Sequence, residues 1–69
     1  MTDFERIKMY YDKGWATKVQ VAKYVGFNKI THAEYYLITG DKVFLRSEVV
    51  AGKITAEEYT LITGDIYVA

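Results

Sequence analysis

Few residues of this chain could carry chemistry, and their spacing assigns them little of it. His32 is the only histidine and there is no cysteine, so a zinc site has no ligand set to draw on. Ser47 is the only serine, and no histidine or acid stands at a spacing that implies a nucleophile and its base. Glu57 and Glu58 are adjacent. On a helix they point in different directions and cannot easily share one reacting group. Gly40-Asp41-Lys42 lacks the glycine spacing and the Lys-Ser/Thr ending of a phosphate-binding loop. No catalytic, cofactor-binding or metal-ligating residue is assigned, no small-molecule substrate is expected, and the expected function is non-enzymatic.

Aromatic residues are the chemistry the chain does have in surplus. Seven Tyr, three Phe and one Trp make up 16% of 69 residues, more than so small a core can bury. Phe4, Ile7 and Tyr11 follow one helix face and read as core. Tyr10, Tyr24, Tyr36 and Tyr67 are not forced inward by the pattern, and Trp15 falls in a turn. Surface tyrosine and tryptophan bring large contact area at little side-chain entropy cost. Tyr10, Trp15, Tyr24, Tyr36 and Tyr67 are therefore the candidate protein-interaction residues.

The elements that must hold these residues are punctuated by glycine and threonine. Gly14, Gly26, Gly40, Gly52 and Gly64 recur at near-regular intervals, and there is no proline. Each is read as a helix stop or turn, since glycine accepts the left-handed conformation that ends a helix. Thr2-x-x-Glu5, Thr17-x-x-Gln20, Thr31-x-x-Glu34 and Thr55-x-x-Glu58 all have capping-box spacing. Thr17, Thr31, Glu34, Thr55 and Glu58 are thus structural caps, and Asp41 supplies a further N-cap without the box partner. The spacing predicts an all-α chain with helices near 3–13, 17–25, 31–39, 42–51 and 55–63, then an extended tail over 65–69.

An internal repeat orders these helices. Residues 17–40 align without gaps to residues 41–64, with 12 of 24 positions identical. The expected organisation is one domain over 1–64: an N-terminal helix and turn (1–16), then two tandem helical hairpins (17–40 and 41–64). In the shared string Lys-Ile-Thr-x-x-Glu-Tyr-x-Leu-Ile-Thr-Gly, Thr and Glu form the cap. Ile30 with Tyr35, and Ile54 with Tyr59, have the spacing of a hydrophobic staple. The Leu-Ile pair is expected to face the core. Val43, Leu45, Val49 and Val50 are expected to cover the first hairpin. His32 is matched by Ala56, so the repeated scaffold does not require it and it reads as a solvated side chain.

Nine basic and nine acidic residues leave no net charge to steer the whole chain to nucleic acid or membrane. The start, Met1-Thr2-Asp3-Phe4-Glu5, does not read as a signal peptide, and no apolar run approaches a membrane span. A soluble domain made inside the cell is the expectation. Charge is nevertheless divided: residues 1–30 carry six basic and three acidic groups, and residues 31–69 the reverse. Lys18, Lys23 and Lys29 surround a segment in which Ala22 and Gly26 have the four-residue spacing of a helix-turn-helix crossing. The helix that would enter the groove has no lysine or arginine and carries Glu34, which repels phosphate. A small helix-turn-helix-like regulator binding DNA or a host protein is the alternative reading, and DNA is not the expected partner.

Several short strings fall in a recognisable order: Phe4-Glu5-Arg6-Ile7-Lys8, Tyr10-Tyr11-Asp12-Lys13-Gly14, Thr17-Lys18-x-Gln20-Val21-x-Lys23-Tyr24-Val25, Lys29-Ile30-Thr31 and Ile38-Thr39-Gly40. Over residues 1–41 the chain resembles the XkdX family of small phage and prophage proteins, from which it departs by a second copy of the C-terminal hairpin. The resemblance implies a product of the tail and lysis region of a phage of Gram-positive bacteria, and it transfers no catalytic residue. The expected role is a structural or accessory component of the tail region acting through protein contacts. Its expected partners are phage tail proteins or further copies of itself, and its expected place is the host bacterial cytoplasm, with incorporation in the virion left open.

Overall fold

A computed structural model describes residues 1–68. Five helices follow one another: α1 (Asp3–Asp12), α2 (Lys18–Gly26), α3 (His32–Thr39), α4 (Val43–Val50) and α5 (Ala56–Thr63). The fold is all-α, and no strand occurs among the described residues. Among the described residues no helix is long and apolar enough to cross a membrane.

Helices of eight to ten residues are too short to stand alone in water, so their ends and their packing must hold them. Four of the five begin at a threonine in extended conformation whose Oγ1 accepts the amide of the third helical residue. The Glu or Gln there accepts the threonine's own amide in return. The boxes are Thr2/Glu5, Thr17/Gln20, Thr31/Glu34 and Thr55/Glu58. Helix α4 starts differently. Lys42 flanks it without a side-chain cap bond, and the carboxylate of Asp41, one residue earlier, accepts the Val43 amide at 3.1 Å.

The stops are of two kinds. Gly40 and Gly64 lie directly after α3 and α5 in the left-handed region, at φ 67° and 79°. Beside each, a threonine hydroxyl donates to the carbonyl four residues back and accepts the amide two residues on: Thr39 between Tyr35 and Asp41, Thr63 between Tyr59 and Asp65. The expectation for Gly26 is corrected. It is the last residue of α2, and Asn28, at φ 61°, is the residue that turns left-handed. Asn28 aligns with Gly52 in the repeat, and asparagine is the non-glycine residue best suited to that region.

The core consists of Ile7, Val21, Val25, Ile30, Tyr35, Ile38, Leu45, Ile54 and Tyr59. Both members of each expected staple are therefore buried. Helix α3 packs against α1, α2 and α5, while α4 packs on α5. Two expectations about cover are corrected. Leu37 and Leu61 are exposed, at 68% and 85%, because Tyr35 and Ile38 define the inner face of α3 and a leucine two residues after the tyrosine projects away from it. In α4 only Leu45 is fully buried and Val49 half-buried, while Val43 and Val50, one stripe seven residues apart, face outward.

Candidate protein-docking site

Helix α1 ends at Asp12 and the chain turns back through Gly14 into α2. This turn sets Trp15 beside Tyr10, ring centroids 6.2 Å apart, with the Lys13 ammonium 5.6 Å from the indole centroid. Two backbone bonds fix it: the Trp15 and Ala16 amides both donate to the Tyr10 carbonyl. The Thr17 cap then starts α2 so that Gln20, Lys23, Tyr24 and Phe27 run along the opposite wall. The result is a surface groove of 260 Å³ lined by Tyr10, Trp15, Ala16, Gln20, Lys23, Tyr24 and Phe27. Trp15 and Phe27 stand 66% and 67% exposed, while Tyr10 and Tyr24 are half-buried at its base.

Three of the five candidate residues, Tyr10, Trp15 and Tyr24, thus meet in one place. Tyr36 and Tyr67 do not join them. Tyr36 is half-buried against the core from α3. Tyr67 packs edge-on against Tyr59 at 5.4 Å under the Arg46 guanidinium, whose Nη2 donates to the Val68 carbonyl. Phe27 was not among the expected contact residues. Its signal lay in the sequence, an aromatic following a glycine where a turn was expected, but the helix running on through Gly26 is what aims it at the groove.

The groove offers a cation, an amide and four aromatic rings, a combination that binds by apolar area and cation attraction. No cluster of three metal-ligating side chains exists among the described residues. One polar contact ties α3 to the start of α4. The Tyr35 hydroxyl donates to Asp41 Oδ2 at 2.7 Å, and burial together with that carboxylate drives the phenol well above its ordinary range. Burial opposes ionisation of Asp41, but the hydrogen bonds from Tyr35 and from the Val43 and Phe44 amides outweigh it and hold the carboxyl below its usual range.

The reading of His32 as solvated is corrected. Its side chain is 22% exposed, Nε2 lies 2.9 Å from Glu48 Oε1, and the ring stacks parallel to Phe44 at 6.1 Å. It ties α3 to α4, a contact Ala56 cannot make in the second copy.

This architecture, short capped helices around a single small core, is that of a compact all-α helical module. A family model described as "Phage uncharacterised protein (Phage_XkdX)" matches residues 4–42, more than half of the sequence. The chain belongs to that phage family. No curated protein and no solved structure matches it.

Proposed function

We propose that this phage protein is a non-enzymatic structural or accessory component of the tail region, working through protein contacts made by the groove of Tyr10, Trp15, Tyr24 and Phe27. The carrying observation is the exposure of Trp15 and Phe27 on a rigid turn-helix frame. Large aromatics held proud of the surface are the residues that dominate protein interfaces. The site falls within the family-matched segment, residues 4–42.

The helix-turn-helix alternative rests on Gly26 permitting a close helix crossing. A Cβ added at Gly26 would meet nothing within 4 Å, so no neighbour requires a glycine there. This favours the docking reading over the regulatory one.

Mass spectrometry of purified phage, with wild-type and Trp15→Ala chains supplied in turn, tests the proposal. Wild-type protein should co-purify with virions or tail assemblies, and the variant should be depleted. Absence of the wild-type chain from both, together with a salt-dependent shift of duplex DNA, would instead support the regulator.

A further inference from the structure

On the far side of α3 from the aromatic groove, α5 and the segment after it form a second surface of opposite character. The five residues Leu37-Ile38-Thr39-Gly40-Asp41 recur as Leu61-Ile62-Thr63-Gly64-Asp65, with the same threonine bonds at each turn, and in each copy an aromatic a few residues on returns to the tyrosine. Phe44 then packs on Tyr35 at 4.7 Å, and Tyr67 on Tyr59 at 5.4 Å. Beyond that the copies part. Over α3, helix α4 continues and covers His32 through Phe44 and Glu48. Over α5 no helix follows among the described residues. The matching surface is an open groove of 410 Å³ lined by Ala56, Glu57, Thr60, Leu61, Ile66 and Tyr67. Leu61 and Ile66 are 85% and 80% exposed on its rim. This is the place where the repeat's own geometry puts a packed neighbour.

Charge says what fits there. Glu57 projects from α5 with no cation within ion-pair distance among the described residues. Lys23, the cation that lines the aromatic groove, has no carboxylate at that distance either. One groove is apolar and carries the Glu57 carboxylate, with Arg46 lying over the Tyr67 ring beside it; the other is aromatic and carries the Lys23 ammonium. Both lie on the same molecule, on different sides of α3.

We infer that the occupant of the aromatic groove is a second copy of this chain, with Leu61 and Ile66 of one molecule seated between Trp15 and Phe27 of the next and Glu57 facing Lys23. This rests on the docking reading above and names the partner. Because the two surfaces differ, the contact is heterologous, and repetition builds a ring or an open filament rather than a closed two-fold dimer.

Sedimentation of the full chain over a wide concentration range tests this. The sedimentation coefficient should rise with concentration. Leu61→Asp, at a position too exposed to disturb the core, should abolish the rise while far-ultraviolet circular dichroism stays unchanged. Glu57→Lys and Lys23→Glu should each suppress self-association alone, since each puts like charges across the contact. Mixed in equal amounts they should restore it, because each variant then meets a complementary face. A wild-type chain that stays monomeric at every concentration, or a pair of charge variants whose mixture stays monomeric, would overturn the inference. A dimer sensitive to Leu61→Asp but indifferent to Lys23→Glu would overturn it too, in favour of a two-fold contact. The docking reading has its own readout, virion incorporation blocked by Trp15→Ala, so it can survive the loss of self-assembly.

Discussion

The hairpins at 17–40 and 41–64 share nine of their last twelve residues, yet the same letters do different work in each. Ile38 is buried and its counterpart Ile62 half-buried; Val25 is buried and Val49 half-buried. Tyr35 and Tyr59 are equally buried, at 1% and 2%, but only Tyr35 has an aspartate for its hydroxyl. Asp65, the match of Asp41, pairs with Lys42 instead. The first hairpin has α1 on one side and the second hairpin on the other, while among the described residues the second has a neighbour on one side only. Position in the array, more than sequence, sets how much each shared residue contributes.

The most direct way to break that comparison is to cut the same side chain from both copies. Ile38→Ala should cost about 2–5 kcal/mol, the range for truncating a buried isoleucine. Ile62→Ala should cost clearly less, since part of its surface already meets water. Thermal or urea melts of the two variants measure the difference. Equal losses would mean that the two hairpins are equally enclosed.

A finer cut removes only an oxygen. Tyr35→Phe leaves the Phe44 contact and deletes the bond to Asp41, with an expected loss of about 1.5–3 kcal/mol, as for hydrogen bonds to charged groups. Tyr59→Phe should change stability little, because its aspartate is engaged by Lys42. A similar loss from both substitutions would show that the hydroxyl of Tyr35 has no special role.

Where the two copies are locally identical, the comparison should vanish. Thr31 and Thr55 cap α3 and α5 with the same pair of bonds, so replacement of either by Ala should cost about 0.5–2 kcal/mol. Melts that separate the two by more than their error would show that neighbours, not caps, decide these helix starts. His32→Ala, which removes the tie to Glu48 and Phe44, should fall within the same range rather than near zero.

These cases mark how far the sequence could be read. Caps and stops are local, decided by residues two to four apart, so four capping boxes and all five helices were legible from spacing alone. The shift of the turn from Gly26 to Asn28 was not, because glycine is also tolerated as the final residue of a helix. The His32–Glu48 contact spans 16 positions and has no counterpart in the second copy, so no periodicity announces it. The outward aim of Leu37 and Leu61 follows from which face of a two-turn helix the core claims, and packing decides that. The aromatic groove was legible in part. Tyr10, Trp15 and Tyr24 stood out by type, whereas Tyr36 and Tyr67 were absorbed by packing and Phe27 was recruited by the extra residue of α2.

The smallest expected effect concerns the charge on Asp41. Asp41→Asn keeps an acceptor oxygen for the Val43 amide, while its NH2 group takes the place of Oδ2 and can only donate to the Tyr35 hydroxyl. Neutral bonds replace charge-assisted ones, so at neutral pH the loss should be near 1 kcal/mol. The sharper signature is its pH dependence. The folded protein holds the Asp41 carboxyl below its ordinary range, so below neutrality the unfolded chain takes up this proton first. The stability it contributes is fully present above the unfolded value, about 3.9, and is lost as pH falls through the folded one. The wild-type chain should therefore lose stability more steeply below about pH 4 than Asp41→Asn. Urea midpoints of the two proteins should converge toward the acid end. Parallel curves down to the lowest pH at which both still fold would show that the link from Asp41 to Tyr35 and the start of α4 does not depend on charge.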